Sequence, residues 1–337
     1  MSAILLGNGL NRCLKGYPSW VDLLQGIESE FFSKLGSSVN SLLKYDAILC
    51  EAKGRYGDDS VSKRVLDCLK RLDTAQIAIE NSDLFVSILD SGVKTILTTN
   101  YDYNLENALI HGASSPLFGK QIEEHYTFET RASDKRNKVI DAFDIHHIHG
   151  EISYPKSICL GITKYIDNLA KTMELLSDGE SSQDGSSLGR LIDSNVLTRG
   201  PGWKKTWAEL FFNSNIYIVG LGLSSDELDI WWLLMRRAQL LADRDMCGKI
   251  TNRIIYFPLI AEERQYDFSP FDVLHVECEP CKVIGGDWKR HTARFGKRLG
   301  GLRSRPARTC FDGPNFLAFL KCEVQNTCHK KNGSTVL

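Results

Sequence analysis

The stretch Val93–Asn104 constrains the fold more than any other part of the chain. Its first half is β-branched and aliphatic, which is typical of a short buried strand. The apolar run then stops, and Thr98, Asn100, Tyr101 and Asp102 crowd hydrogen-bonding groups at the strand end. In open parallel α/β sheets, ligands bind beyond the carboxyl ends of the strands. The stretch therefore predicts a pocket for a polar ligand around Asn100.

Composition excludes several classes of protein. The chain has 337 residues, of which 42% are hydrophobic and 25% charged, as in an ordinary globular protein. A net charge of −1 gives no general attraction for nucleic acid or an anionic membrane. No apolar run approaches the roughly 20 residues that span a bilayer. Ten cysteines without a disulfide framework predict reduced thiols and a cytoplasmic location.

Glycine-rich turns follow two other predicted strands. The strand Ala3–Leu6 leads into Gly7-Asn8-Gly9, where glycine lets the backbone turn and approach a ligand. A tight turn without a ligand is the alternative for this short motif. The clearest buried strand, at 215–223, is followed by Ser224, which we predict to cap a helix with Glu227 as its capping-box partner. Strand, turn and helix N-terminus together predict a site for an anion or a ribose hydroxyl.

The remaining pattern sets the domain organisation. Helical spacing dominates from about 20 to 90, broken clearly only at 54–60, which is more helix than one crossover needs. We therefore predict an α/β fold: a Rossmann-like, mainly parallel sheet with helices on both faces and a helical inserted subdomain. A domain at 1–285 would contain a mobile loop at about 177–202, rich in Ser, Gly and Asp. A basic C-terminal extension would occupy 286–337.

His149 is the candidate base. His149 and Gly150 end a predicted strand, and imidazole titrates near pH ~6.5, which suits proton transfer at neutral pH. The Asn100 amide can orient a water or a ribose hydroxyl without competing for the proton. The alternative is a structural histidine. A further short strand is predicted at Ser157–Gly161.

No metal is expected. His146 and His147 alternate with their neighbours across a strand and cannot converge with His149 on one ion. Cys278 and Cys281 form a lone CxxC pair, whereas structural zinc normally needs a second pair. From Lys289 to Arg308 there are eight basic and no acidic residues. This stretch fits either a solvated tail or a contact with a partner.

Four motifs occur in order along the chain: Gly7-Asn8-Gly9, Thr98-Thr99-Asn100-Tyr101-Asp102, His149-Gly150 and Gly220-Leu221-Gly222-Leu223-Ser224. Together they resemble the sirtuin-like family, and more closely its bacterial defence branch, whose members hydrolyse NAD during phage infection. The resemblance spans roughly residues 1 to 280. It implies that the first glycine turn lines the pyrophosphate, that Asn100 and Asp102 hold the nicotinamide ribose, and that His149 is the base. The implied cofactor-binding set is Gly7, Asn8, Gly9, Asn11, Thr98, Asn100, Tyr101, Asp102, Gly220, Gly222, Leu223 and Ser224, with Gly222 and Ser224 against the adenosine half.

One departure from the family bears on the reaction. Between Gly150 and Asn215 the chain has a single cysteine, so the zinc module of deacylating sirtuins is absent from the sequence. Water is then favoured as the acceptor over acyl-lysine. The expected function is an NAD glycohydrolase in antiviral defence by NAD depletion, with NAD as substrate and no metal.

Partners follow from the same expectation. Control by homo-oligomerisation or by a partner such as a helicase-like ATPase is expected, without membrane binding or direct binding of nucleic acid. Three alternatives stay open. They are a protein deacylase, a non-catalytic module that binds NAD or ADP-ribose, and a scaffold for a nucleic-acid-handling ATPase.

Overall fold

An eight-stranded sheet organises the protein, as seen in a computed structural model. The structure describes residues 2–14, 16–36, 39–89, 91–125, 137–176, 206–244, 247–261, 268–279 and 281–283. The strands of the main sheet are β1 (Ser2–Leu6), β2 (Thr95–Thr98), β3 (Ile122–His125), β4 (Asn137–Ile140), β5 (Phe143–His147), β6 (Asn215–Val219), β7 (Ile254–Phe257) and β9 (Val276–Cys278). Strands β8 (Leu259–Ala261) and β10 (Cys281–Val283) pair separately in parallel.

The strand order is β3-β4-β5-β2-β1-β6-β7-β9. All neighbours are parallel except at the β3-β4-β5 edge, which is antiparallel. From β1 the chain adds β2 on one side, then the edge strands β3 and β4, then β5 between β4 and β2, and finally β6, β7 and β9 on the other side of β1. This reversal between β1 and β6 is the topological switch point at which Rossmann-like folds bind nucleotides. The predicted fold class is confirmed.

Helices cover both faces of the sheet. Helices α1 to α11 span Trp20–Ile27, Ser29–Phe32, Ser41–Tyr56, Asp58–Lys70, Ala75–Glu80, Ser82–Leu89, Asn104–His111, Ile162–Leu176, Leu210–Asn213, Leu228–Ala242 and Ser269–Val273. Short 3-10 turns lie at Asn11–Cys13, Pro155–Ser157 and Cys247–Lys249.

Burial on both faces explains the nearly continuous apolar strands. In β1, Ala3 and Leu5 belong to the core that contains residues of α9 and α10. Ile4 and Leu6 belong to the opposite core, with residues of α5, α6 and α7. Successive side chains of a strand point to opposite faces, so one short strand contributes to both layers.

The long helical region forms a third core. Leu24 of α1, Ile48 of α3 and Leu69 of α4 are buried together. Ser19 caps α1 in a complete capping box with Asp22, as its sequence pattern indicates. The predicted break at 54–60 reduces to Gly57 alone, which separates α3 from α4.

One predicted element is wrong, and two segments are outside the description. Ser157–Gly161 forms no strand, since it is the irregular connection between a 3-10 turn that ends at Ser157 and α8, which begins at Ile162. The predicted loop at 177–202 and the extension at 286–337 lie outside the described residues. Among the helices that the structure describes, none is long and apolar enough to cross a bilayer.

Candidate active site

A cavity of about 660 Å³ opens at the carboxyl ends of five adjacent strands. Its walls come from the turns after β1, β2, β5 and β6, from the end of β7, and from α1 and α3. The cavity therefore lies at the sheet edge where the switch-point rule predicts a ligand.

Most of the predicted residues line this cavity, and four do not. Those on the wall are Asn8, Gly9, Asn100, Tyr101, Asp102, His149, Gly220, Gly222 and Ser224. Those that are not part of the lining are Gly7, Asn11, Thr98 and Leu223. The structure thus brings Asn100 and His149 from separate strand turns to one cavity.

The two glycine-rich turns pack directly against each other. Gly9 N donates to Gly220 O at 2.6 Å, and Gly7 N donates to Val219 O at 2.9 Å. A Cβ on Gly9 would lie 2.5 Å from Gly220 O, far inside contact distance. Gly7 and Gly9 are therefore both needed for the β1 turn to pack against the β6 turn, with or without a ligand.

Asp102 ties the β1 turn to the β2 turn. Its carboxylate accepts from Asn11 Nδ2 at 2.9 and 3.1 Å, from Tyr17 Oη at 3.1 Å, and from Asn104 N at 3.1 Å. Burial raises the pKa of Asp102 to about 6, while the Asn104 hydrogen bond acts in the opposite direction. Asn11 serves the site through this bond and not by lining the cavity.

Asn100 is held by its backbone and keeps its side chain available. His147 Nδ1 lies 2.7 Å from Asn100 O, and His147 Nε2 lies 2.7 Å from Glu106 Oε1. Burial lowers the pKa of His147, but the charge and hydrogen bond of Glu106 outweigh it and the net shift is upward. A charged His147 donates from both nitrogens and so positions the Asn100 turn. Asn100 Oδ1 is buried and accepts no hydrogen bond within the described structure, which suits a donor such as a ribose hydroxyl.

His149 is oriented by a buried carboxylate. Its Nε2 lies 3.0 Å from Asp229 Oδ2, and Asn168 Nδ2 donates to the same oxygen at 2.7 Å. Burial raises the pKa of Asp229, yet the charge and hydrogen bond of His149 bring it below its usual value. Since an ionised carboxylate only accepts, the proton lies on Nε2. Nδ1 then faces Tyr165 Oη at 3.4 Å and Glu227 Oε2 at 3.9 Å.

A left-handed turn holds the imidazole in place. Gly150 has a φ of 94°, and a Cβ there would lie 2.3 Å from Ser157 O. Cys159 N donates to His149 O at 2.7 Å. Glycine at position 150 is therefore required for the chain to turn at this point.

Sequence reasoning missed four residues around His149: Tyr165, Asn168, Glu227 and Asp229. The capping box predicted for Ser224 and Glu227 is wrong, because α10 begins at Leu228 and Glu227 makes no side-chain cap. Tyr165 and Asn168 lie three residues apart on α8, which places them on one helix face. Asp229 in the first turn of α10 carried a sequence signal only as a residue favourable to the helix N-terminus.

The same cluster has the spacing of a metal site. Ligand atoms of His149, Glu227 and Asp229 all lie within 4.8 Å of one another, the one such group in the part of the chain that is described. We assign these contacts to hydrogen bonding, since Asp229 already accepts from His149 and Asn168. The expectation of no metal stays a prediction. Cys278 of the CxxC pair is a free thiol.

The fold is Rossmann-like, and the cavity lies at the switch point, where folds of this kind bind ligands. Residues 94–241 match the family model of the SIR2-like domain. The matched region runs from β2 almost to the end of α10 and includes Asn100, His149 and Asp229. This match supports the binding and use of NAD. No curated protein matches the chain significantly.

Proposed function

We propose that the protein is an NAD glycohydrolase, which cleaves NAD with water to nicotinamide and ADP-ribose. The observation that carries the proposal is the convergence of Asn100 and His149 on one cavity at the switch point. The SIR2-like match over residues 94–241 supports NAD as the ligand.

Charge along the cavity wall orients the dinucleotide. Arg12 is the one arginine or lysine among the lining residues that the structure describes. It lies in the turn after β1, close to Gly9. A guanidinium suits two-point contact with phosphate oxygens. The pyrophosphate then lies against Arg12 and Gly9. The adenosine half lies toward Gly222 and Ser224, both exposed, with open space around Gly222.

The reaction depends on positioning the substrate more than on protonating the leaving group. The nicotinamide ring nitrogen is positively charged in NAD, so it takes the electron pair of the broken C–N bond and leaves as a neutral molecule. Asn100 binds the nicotinamide ribose through its amide. His149 Nδ1 accepts a hydrogen bond from a ribose hydroxyl, which increases electron density on the sugar as its C1′ becomes an oxocarbenium-like centre. Preorganised dipoles aimed at that centre lower the barrier.

Water is the proposed acceptor. Helix α8 follows closely after His149 in the chain, and its Tyr165 stacks edge-on against His149 with ring centroids 5.2 Å apart. In the sequence, the interval from Gly150 to Asn215 has a single cysteine, so it lacks the zinc module that shapes the acyl-lysine channel of deacylating sirtuins. The arrangement favours hydrolysis over deacylation.

Antiviral defence through NAD depletion is the proposed setting, and it rests on the sequence resemblance. Free NAD hydrolysis would harm the producing cell, so restraint by homo-oligomerisation or by a partner such as a helicase-like ATPase is part of the proposal. The catalytic domain is proposed to span 1–285, with 286–337 as a basic extension. Equal specific activity in dilute and concentrated protein, and with 286–337 deleted, would remove the regulatory part.

The test is nicotinamide release from NAD by the wild type, Asn100→Ala and His149→Ala. We expect turnover by the wild type and a loss of roughly 100-fold or more in both variants. Asn107→Ala and His111→Ala, on α7 and outside the cavity lining, are matched controls expected to retain activity. Binding without turnover would identify a regulatory NAD-binding module. Turnover only with an acyl-lysine peptide, giving O-acyl-ADP-ribose, would identify a deacylase.

A further inference from the structure

A second carboxylate faces the cavity beside His149. Glu227 lines the cavity, and its side chain is 18% exposed. Its Oε2 is buried without a hydrogen-bond partner in the described structure and lies 3.9 Å from His149 Nδ1. Buried carboxylates normally accept several hydrogen bonds. This one has free acceptor capacity at the point where the imidazole meets the cavity.

Local structure gives Glu227 no other task. It occupies the N-cap position of α10, but its side chain accepts no capping bond. Two residues later, Asp229 is fully engaged, since its oxygens accept from His149, Asn168 and Ile230 N. The two carboxylates therefore have different roles. Asp229 orients the imidazole of His149, and Glu227 is available to a ligand.

We propose that Glu227 is the catalytic residue that takes the proton of the attacking water, an inference that rests on the proposed function. The C–N bond breaks and its electron pair goes to the nicotinamide nitrogen. The water oxygen then forms a bond to C1′, and one water proton passes to Glu227 Oε2. The products are nicotinamide, ADP-ribose and one proton, which Glu227 later releases to solvent. His149 acts on the ribose hydroxyl, so each base has its own proton.

The electrostatic surroundings match this role. Burial raises the pKa of Glu227 to about 7, opposed by the charge of His149. Asp226 and Asp229 also raise it. Tyr165 of α8 and Tyr101 of the β2 turn face the same carboxylate, and both have a pKa well above their usual range, so they stay neutral. A base with a pKa near the working pH is effective in proton transfer.

The test separates bond cleavage from attack by water. Hydrolysis is followed as ADP-ribose formation, and cleavage alone as exchange of labelled nicotinamide into NAD. In Glu227→Gln we expect hydrolysis to fall about 100-fold while exchange stays within about threefold. Glu227→Asp, which keeps a carboxylate, should retain more hydrolysis than the glutamine variant. Glu80→Gln, on the exposed surface of α5, is the control.

The pH profile is a second measurement. Wild-type hydrolysis should rise as the pH increases through about 7, because Glu227 must be ionised to accept a proton, and Glu227→Gln should lose that rise. Parallel losses of hydrolysis and exchange in Glu227→Gln, or unchanged hydrolysis, would overturn the inference. A wild type that neither hydrolyses nor exchanges would instead contradict the proposed function itself.

Discussion

Asp102 and Glu227 are two carboxylates on the wall of the same cavity, and their surroundings differ sharply. Burial raises the pKa of both, to about 6 and about 7. Asp102 accepts from Asn11 and Tyr17 of the segment between β1 and α1, and from Asn104 at the start of α7. Glu227 Oε2 accepts from no group in the described structure. A pKa raised by burial therefore does not by itself decide what a carboxylate does.

The difference divides the site into a positioning half and a reacting half. Around Asp102 and His147, charged groups hold the turns after β1 and β2 in register. Around His149, one carboxylate orients the imidazole and another remains available. Substitutions in the first half should affect folding, and those in the second half should affect rate.

The largest expected effect is on folding. Asp102→Ala removes the carboxylate that accepts from Asn11 Nδ2, Tyr17 Oη and Asn104 N, so the free energy of unfolding should fall by about 3–5 kcal/mol. Glu227→Ala removes a carboxylate that lacks partners and should cost less than about 1 kcal/mol. Urea denaturation of both variants measures the contrast. Equal losses in the two variants would abolish the distinction.

Asp229→Asn should affect rate more than folding or binding. The amide keeps the size of the side chain, but it no longer stabilises the charge and tautomer of His149. We expect kcat to fall about 100-fold with KM changed less than about threefold. Asp243→Asn, just past the other end of α10, is exposed and serves as the control. An unchanged kcat would show that Asp229 does not position the base.

Arg12→Ala tests the binding half of the wall. Losing the cation that faces the pyrophosphate should raise KM for NAD about 10-fold, with kcat within about twofold. Lys63→Ala, exposed on α4 and outside the cavity lining, should leave KM unchanged. A fall in kcat at constant KM would place Arg12 in the chemical step instead.

The smallest expected effect concerns His147 and pH. Its pKa is raised in the folded protein by Glu106, once the opposing effect of burial is overcome. The stability it contributes is therefore fully present below its ordinary pKa of about 6.5 and is lost as the pH rises through the raised folded value. His147→Gln should flatten this part of the curve of unfolding free energy against pH. Identical curves for variant and wild type would contradict the charged form of His147.

Sequence reasoning reached the parts of the site that depend on local pattern. Alternation and apolar runs located the strands that end near Gly9, Asn100 and Gly220, and the parallel sheet brings their turns together. His149 could be predicted because His149-Gly150 ends a predicted strand.

The rest depends on contacts that no local pattern encodes. Asp229 is 80 residues from His149 in sequence, and their pairing needs the packing of α10 beside the β5 turn. Glu227 stands three residues after Ser224, a spacing that fits a capping box as well as a free carboxylate. Only the position at which α10 begins separates the two. Helix α8 was missed altogether, and with it Tyr165 and Asn168.

The most direct test of the central claim is a crystal structure of His149→Ala with NAD bound, since this variant should bind the dinucleotide without cleaving it. The account predicts the nicotinamide ribose in contact with Asn100 and beside Glu227, and the pyrophosphate against Gly9 and Arg12. A dinucleotide bound outside this cavity, or with its nicotinamide ribose out of reach of Asn100, would contradict it.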